Sequence, residues 1–425
     1  MKGANLQQEQ KVESLLSGYR VLDLTDDKGF LCSRILADMG ANVIKIEPPG
    51  GDPSRNIGPF YHDEPDPEKS LYWFAYNANK RGITLDIKTS DGRQVFTRLV
   101  ETADFVIESF PPGFMDSLDL AYSSLSQVKP GIIMVSITPF GQTGPYRDYK
   151  TSDIVSMAMG GLAYMMGEPD RPPLRVSFPQ AFLHASAEAA VGAMIALYHR
   201  ELDGEGQWVD VSIQASLPVV TVNVIPFWEL NQVILKRAGV YRTGLTAGAR
   251  QRQLWQCKDG AVIFYILGGL TASKSNRALA KWMEDEGMAD DFIKAMDWDA
   301  FDMGKGGQET QDWLEECTAP FFKDKTKREL YDKALEIKMG LCPVSTSKDL
   351  AENSQLKARN FWSEVEHKEL ADNILYPGAF AQLSQAPLKI YRRAPLIGEH
   401  NEEIYMGELG YSREQIITLK QLRAI

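Results

Sequence analysis

Residues 19–47 read YRVLDLTDDKGFLCSRILADMGANVIKIE, and this stretch decides the fold class. The apolar stretches 19–25 and 43–47 are typical of buried β-strands. Between them, residues 30–39 carry apolar side chains at helical spacing. A strand, a helix and a second strand in this order form the repeating unit of a parallel sheet.

The same alternation continues along the chain. Further strands are predicted at 82–86, 104–108 and 131–137, with a helix at 91–103. The first strand is followed by DDKG at 26–29, and not by the GxGxxG turn that cradles a pyrophosphate. We therefore predict an open, doubly wound α/β sheet, and the sequence argues against a nicotinamide-dependent dehydrogenase. The acidic pair after the first strand is expected to repel phosphate.

Composition limits the classes of partner. The 425-residue chain carries 46 Lys and Arg against 57 Asp and Glu, a net charge of −11, which argues against DNA or RNA as a partner. The four cysteines form no CxxC pair, so neither a metal site nor a disulfide framework is predicted. The sequence shows no secretory signal, and no run approaches the roughly 20 apolar residues of a membrane span. We expect a cytoplasmic protein with no membrane partner.

The rest of the chain changes character twice. Residues 181–200 are rich in Ala, Ser and Gly at spacings that favour close helix packing, and residues 203–212 predict a turn into a strand. Between about residue 230 and residue 340, a strand, turn and strand pattern at 253–267 is followed by amphipathic helices. This region is expected to form a second, smaller unit.

Seven segments, in order along the chain, carry a resemblance to one family. They are LADMGANVIKIEPPGGDPSR at 36–55, NKRGITLDIKT at 79–89, VIESFPPGFM at 106–115, FGQTGPY at 140–146, TSD at 151–153, GEGQWVDVS at 204–212 and APLIGEHNEEI at 394–404. Together they resemble the class III CoA-transferases, a family that includes formyl-CoA transferase, carnitine CoA-transferase and alpha-methylacyl-CoA racemase. The resemblance runs from about residue 18 to the C-terminus.

The resemblance implies a fold and a reaction. A large α/β domain would be built from both ends of the chain, residues 15–225 and 341–425, with a smaller α+β domain at 226–340 and two interlocked subunits. The family reaction is a ping-pong transfer, in which an Asp carboxylate attacks an acyl-CoA thioester and passes through an acyl anhydride and an aspartyl-CoA thioester. CoA thioesters are then substrates, and no cofactor is bound permanently.

Phe182 occupies the family position of that Asp. In the family, the Asp lies four residues before a small residue and ten before a helical glycine, which are Ser186 and Gly192 in this chain. The flanking residues are Ala181 and Leu183, so a slip of one residue supplies no carboxylate. The resemblance therefore implies no catalytic residue of the family type here.

Other family positions agree only in part. Ser117 stands where the family has a basic residue, and Asp27 stands near a glutamine that assists the acyl group. With basic groups missing, the CoA polyphosphate is expected to bind more weakly. The positions that the resemblance assigns to CoA and the surrounding site are Pro48, Arg55, Leu85, Lys88, Ser109, Phe110, Lys150, Asp153, Gly268 and Gly269.

Three functions remain open at this point. The first is a non-catalytic subunit of a hetero-oligomeric CoA-transferase, paired with a homologous catalytic subunit and acting on an acyl-CoA and a carboxylic acid. The second is a complete acyl-CoA isomerase or racemase of the same fold, which would move an α-proton. The third is a scaffold protein that has kept the fold and lost the chemistry.

Overall fold

The computed structural model describes residues 14–425 except 223, 244–249 and 302. It divides the chain into two compact units. The first comprises the described residues up to Leu162 together with Arg175–Leu230 and Gln355–Ile425, and the second comprises Ala163–Leu174 and Asn231–Ser354. The first unit thus contains both ends of the described chain. The boundaries set from the sequence were 225/226 and 340/341.

A six-stranded parallel sheet forms the centre of the first unit, in the order β3-β2-β1-β4-β5-β6. The predicted open, doubly wound sheet is confirmed. Strands β1 to β5 are almost wholly buried, as is usual where helices cover both faces of a parallel sheet, whereas the edge strand β6 is partly exposed. The strands are β1 Arg20–Leu24, β2 Asn42–Glu47, β3 Arg81–Thr84, β4 Phe105–Glu108, β5 Ile133–Thr138 and β6 Trp208–Ser212.

Nine helices precede the second unit's strands in the described chain. They are α1 Phe30–Asp38, α2 Leu71–Asn77, α3 Ser90–Val100, α4 Phe114–Ser117, α5 Tyr122–Val128, α6 Asp153–Met159, α7 Gln180–Asp203, α8 Ile213–Val220 and α9 Val224–Asn231. Side chains cap several of them; Thr89, for example, accepts a hydrogen bond from the Gly92 N–H at the start of α3.

Helix α7 is 24 residues long and Ala-rich. Its buried stripe includes Ala181, Ala185, Ala189 and Ala193, whose small side chains allow close packing. By length and composition alone this helix could cross a membrane, but the core helix of a soluble protein passes the same test. Half of its most apolar window is nevertheless buried inside the protein, as in the core helix of a globular domain.

The second unit contains short antiparallel strands and helices packed around one apolar core. Its elements are β7 Tyr241–Thr243, β8 Arg250–Arg252, β9 Leu254–Cys257, β10 Gly260–Phe264, α10 Leu270–Asp285, α11 Asp291–Ala295, α12 Met303–Lys323, α13 Lys327–Glu336, β11 Leu341–Pro343 and α14 Ser347–Glu352. Returning to the first unit, the chain forms α15 Ser354–Ala358, the hairpin β12 Trp362–His367 and β13 Asp372–Pro377, a π-helical turn at Glu403–Glu408, and α16 Arg413–Gln421.

Candidate functional site

The strand order reverses between β1 and β4, and this is where open parallel sheets bind ligands, beyond the carboxyl ends of the strands. Two short hydrogen bonds join the loops that follow these strands. The Asp26 N–H donates to Ser109 Oγ at 2.9 Å, and Ser109 Oγ donates to Asp26 Oδ1 at 2.8 Å. The structure therefore places Ser109, one of the predicted CoA-binding residues, at the switch point of the sheet.

A buried network of charged side chains fixes the loop that follows β1. The Asp23 carboxylate accepts hydrogen bonds from the Thr25 N–H at 3.0 Å and the Thr25 hydroxyl at 2.7 Å. Lys80 Nζ donates to Asp23 Oδ2 at 2.9 Å, and Lys45 Nζ donates to the Thr25 carbonyl. All four of these side chains are shielded from solvent. Hydrogen bonds to both the side chain and the backbone of Thr25 consequently fix the start of this loop.

The acidic pair after β1 is not left uncompensated. Lys28 Nζ forms an ion pair with Asp26, whose Oδ1 also accepts the Lys28 N–H at 3.1 Å. Burial, reinforced by the neighbouring charge of Asp26, raises the pKa of Asp27 to about 6. The expected repulsion of phosphate at this loop is therefore reduced by Lys28.

A cavity of about 430 Å³ lies beside these loops, and we name it the switch-point cavity. Its rim comes from the segments after β1, β4 and β5. The structure thus brings together Ser109 and Lys150, two predicted CoA-binding residues, with two cations that the sequence analysis did not single out for CoA, Lys28 and Arg147. The lining residues are Lys28, Ser109, Pro111, Pro112, Pro139, Arg147, Asp148, Tyr149, Lys150 and Thr151.

Phe182 lies in the first turn of α7 and is 5% exposed. Its N–H donates to Asp153 Oδ1 at 3.2 Å, and the backbone groups of Gln180 and Ala181 also hydrogen-bond to the Asp153 carboxylate. Burial raises the pKa of Asp153, and these backbone hydrogen bonds oppose that shift. Asp153 therefore fixes the start of the helix that carries Phe182.

The same end of α7 touches the loop after β1, because Ser186 Oγ donates to the Lys28 carbonyl at 2.9 Å. Three aromatic rings gather nearby. The ring centroid of Tyr72 lies 4.9 Å from that of Tyr76 and 6.0 Å from that of Phe178. Burial raises the pKa of Tyr72, and the charges of Asp27 and Asp153 add to that shift, so both carboxyl groups are electrostatic neighbours of this ring.

Other predicted site residues lie along the same edge of the sheet. Pro48 directly follows β2 and is exposed, and Lys88 is exposed in the segment after β3. Leu85 is 3% exposed and belongs to the core, and the Phe110 ring packs against Phe114 at 4.4 Å. Lys88 and Pro48 are thus accessible, whereas Leu85 contributes to packing.

Arg55 is placed differently from an accessible ligand residue. It is 1% exposed, and its guanidinium makes a bidentate pair with Glu47 at 2.6 and 2.8 Å. The remaining donors go to Glu68, Pro67 and the Pro395 carbonyl. All five N–H groups of an Arg are then engaged within the protein. This geometry makes Arg55 a brace between distant chain segments.

Gly268 and Gly269 lie in the second unit, directly before α10. Gly269 has φ of +89°, a conformation that favours glycine. Among the described residues, no group of three or more His, Cys, Asp or Glu side chains could hold a metal ion.

Glu108 is a buried carboxyl group that the sequence analysis missed as a functional candidate. Burial raises its pKa to about 7, although Ser136 and the Phe110 N–H hydrogen-bond to it. It lines a second cavity of about 170 Å³ together with Ser136 and Trp208. The available signal was a single charged residue at the end of an otherwise apolar strand.

Comparison with known proteins agrees with this architecture. The sequence of this chain is 34% identical over 416 residues to the succinyl-CoA:(R)-benzylsuccinate CoA-transferase subunit BbsE of Thauera aromatica, covering 96% of this chain and 98% of that protein. It is 31% identical to the succinyl-CoA–D-citramalate CoA-transferase of Chloroflexus aurantiacus, again over 96% and 98% of the two chains. The crystal structure of a CAIB/BAIF family protein from Brucella suis matches with a TM-score of 0.80 and 27% identity, covering 93% of this chain and 99% of that one.

The family description that matches the sequence is CoA-transferase family III, over residues 16–401. This 425-residue polypeptide contains both the parallel sheet and the switch-point cavity, and it returns to the first unit after building the second. The chain is therefore a member of CoA-transferase family III.

Proposed function

We propose that this chain is the supporting subunit of a hetero-oligomeric CoA-transferase in the cytoplasm. The complex would move CoA from an acyl-CoA such as succinyl-CoA to a carboxylic acid such as benzylsuccinate. A homologous subunit would supply the catalytic Asp. The names of its relatives favour such a division, because they include subunit BbsE and the separate alpha and beta subunits of a succinyl-CoA–L-malate CoA-transferase.

Phe182 is the observation that carries this proposal. A phenyl ring has no nucleophilic atom and cannot form a mixed anhydride with an acyl group. The first turn of α7 is also a place where backbone N–H groups favour a negative charge, and here that charge comes from Asp153. The chain thus keeps the helix start of a carboxylate site while offering an apolar side chain at the expected nucleophile position.

The surroundings of Phe182 suit an apolar acyl group. Tyr72, Tyr76 and Phe178 form an aromatic cluster within the same unit. Excluding water matters for this chemistry, because an acyl anhydride would otherwise hydrolyse before CoA returns. We assign these rings to the wall of a site for an aromatic or branched acid.

An exposed apolar stripe on α7 supports the proposal that this chain binds a partner subunit. Val191, Ile195, Tyr198 and Leu202 are 59%, 63%, 70% and 70% exposed, and their spacing puts them on one face of the helix. Contiguous exposed apolar surface of this kind marks protein–protein contacts. We assign this face to the homologous catalytic subunit, in an interlocked assembly.

The experiment is a CoA-transfer assay on this chain alone, on the homologous Asp-bearing subunit alone, and on the two produced together. We expect transfer from the combined subunits and none from this chain. A Phe182→Asp variant is expected to give this chain some transfer activity, because it restores a carboxylate in the first turn of α7. Leu183→Asp is the matched control, since it adds the same carboxylate one position along the helix. Robust transfer by the unmodified single chain would overturn the proposal.

Asp27 favours a second candidate function, α-proton transfer on an acyl-CoA. Its pKa of about 6, raised by burial and by Asp26, is suited to a base that works near neutral pH. Incubation with an acyl-CoA in deuterated water separates the two functions. Deuterium at the α-carbon, lost in an Asp27→Asn variant, would support proton transfer, and its absence would exclude proton transfer.

A further inference from the structure

The switch-point cavity concentrates positive charge in an acidic chain. Three of its lining residues are cations, Lys28, Arg147 and Lys150, and one is an acid, Asp148. The chain as a whole carries −11. The resemblance to the family predicted a CoA site with basic groups missing, because Ser117 stands where the family has a basic residue and Pro48 is an uncharged residue at a position assigned to CoA. Lys28 and Arg147 bring positive charge to this cavity from positions that the resemblance did not assign to CoA.

Lys28 is oriented by its own loop. Its ammonium group pairs with Asp26, which is itself tied to Ser109 across the switch point. An ammonium group has three N–H donors, and Asp26 accepts from one of them. The Lys28 backbone is fixed as well, because its carbonyl accepts the Ser186 hydroxyl. The Lys28 backbone is therefore fixed beside the cavity, and the ammonium group keeps N–H donors that Asp26 does not use.

Arg147 approaches the same cavity from the segment after β5. Its Nη2 lies 3.2 Å from the place that a Cβ on Gly113 would take, so the guanidinium packs over the loop after β4. Its Nε lies 3.7 Å from Asp148 Oδ1, and its side chain is 44% exposed. This contact is too long for a hydrogen bond, so the guanidinium keeps donors for a ligand.

The rest of the lining restricts what these cations can bind. Pro111, Pro112 and Pro139 form rigid walls and have no backbone N–H. The donors for an anion therefore come mainly from the Lys and Arg side chains. A phosphate group offers several acceptor oxygens and matches both the forked donors of Arg and the point charge of Lys.

The geometry points to Lys28 and Arg147 as phosphate-binding residues that act with Lys150 on a phosphate group of CoA. They replace the basic residues that the family places elsewhere. This inference rests on the proposed function for its ligand, and it names two residues that the family resemblance does not. The distal carboxylate of a dicarboxylic acid is an oxyanion too, so the experiment must separate the two sources.

The experiment is isothermal titration of CoA, 3′-dephospho-CoA, pantetheine and succinate into the full chain combined with its homologous subunit, with that subunit's own nucleotide site disabled by substitution. We expect Lys28→Met and Arg147→Gln each to weaken CoA binding about tenfold, the loss of one charge-assisted hydrogen bond. Lys420→Gln is the matched control, because it removes the same charge from the exposed end of α16. Pantetheine, which lacks the nucleotide phosphates, should bind the variants and the unmodified chain equally.

Three results would overturn the assignment of Lys28 and Arg147 to a phosphate group of CoA. Equal CoA affinity in Lys28→Met, Arg147→Gln and Lys420→Gln would overturn the assignment, and so would a loss confined to succinate. Failure of the unmodified chain to bind CoA would also overturn it. The proposed function fails separately, if the homologous subunit transfers CoA at full rate without this chain. Circular dichroism on each variant distinguishes lost binding from lost folding.

Discussion

Replacing Asp23 by Asn should destabilise the protein strongly, although the two side chains have the same shape. Asp23 has no exposed surface and accepts four hydrogen bonds, from the Thr25 N–H and hydroxyl, from Ser33 Oγ at 2.5 Å and from Lys80 Nζ. All four partners are donors. An amide presents an NH₂ group to one side or the other, so in either orientation two donors would face each other.

The expected magnitude follows from the charges. Removing one partner of a buried ion pair costs about 3–5 kcal/mol, because the other charge is left without compensation. Here Lys80 stays buried at 2.9 Å from the new amide, and Lys45 lies 3.9 Å away. We therefore expect the free energy of unfolding of Asp23→Asn to fall by about 3–5 kcal/mol at neutral pH.

Urea denaturation followed by circular dichroism measures this change. Glu64→Gln is the matched control, because Glu64 is a carboxylate paired with Lys69 but 64% exposed, and such pairs contribute less than about 1 kcal/mol. Adding Lys80→Met to Asp23→Asn should recover part of the loss, since it removes the uncompensated ammonium group. Strict additivity of the two substitutions, or a loss below about 1 kcal/mol for Asp23→Asn, would refute the reasoning.

The dependence on pH gives an independent check. Burial alone would raise the pKa of Asp23, but Lys80 and Lys45, with the Ser33 and Thr25 hydrogen bonds, lower it to about 2 from 3.8. A lowered pKa contributes stability that is present above the unfolded-state value and is lost as the pH falls through the folded-state value. The difference corresponds to about 2 kcal/mol. The deficit of Asp23→Asn relative to the unmodified protein should therefore shrink between about pH 4 and pH 2.

Three further substitutions test other parts of the site. Burial raises the Glu108 pKa to about 7, so the charged form destabilises the folded protein as the pH rises. The free energy of unfolding of Glu108→Gln should therefore increase by about 3 kcal/mol relative to that of the unmodified protein between about pH 4.5 and pH 8. A difference that stays constant in urea titrations at several pH values would contradict this. In the same assay, Arg55→Lys should lower the free energy of unfolding by about 2–4 kcal/mol, because an ammonium group cannot reproduce the bidentate pair with Glu47. An unchanged free energy of unfolding would contradict the structural role of Arg55. Asp153→Asn should cost about 1 kcal/mol through weaker capping of α7, and a loss no larger than that of Glu64→Gln would show that the cap contributes little.

Local pattern was sufficient to predict the central sheet. The strands β1, β2 and β5 are short and mainly apolar, and a segment with helical spacing separates β1 from β2, so both the strand type and the parallel arrangement follow from the sequence. Helix α7 was predicted at 181–200 and extends over Gln180–Asp203, a difference of a turn at its end. These features depend on residues close together in the chain.

The parts that escaped prediction depend on contacts between distant residues. Arg55 donates to the carbonyl of Pro395, 340 positions away, and nothing in the local sequence announces that its guanidinium will be fully engaged. Lys28 and Arg147 lie on different loops and line the same cavity only because β1 and β5 both end at the same edge of the sheet. Local sequence can assign such residues to loops but cannot show which loops converge.

The same distinction applies to charge. A net charge of −11 describes the chain as a whole, but in physiological salt the field of an exposed charge is screened within about 8 Å. An anion in the switch-point cavity is therefore governed by Lys28, Arg147, Lys150 and Asp148, and hardly at all by acids elsewhere on the surface. It follows that the acidic composition excludes a long polyanion, which must contact many separate patches, without opposing a single phosphate group at this one place. The affinity for CoA should accordingly respond to substitutions at the cavity and to ionic strength, and remain indifferent to neutralising carboxylates remote from it.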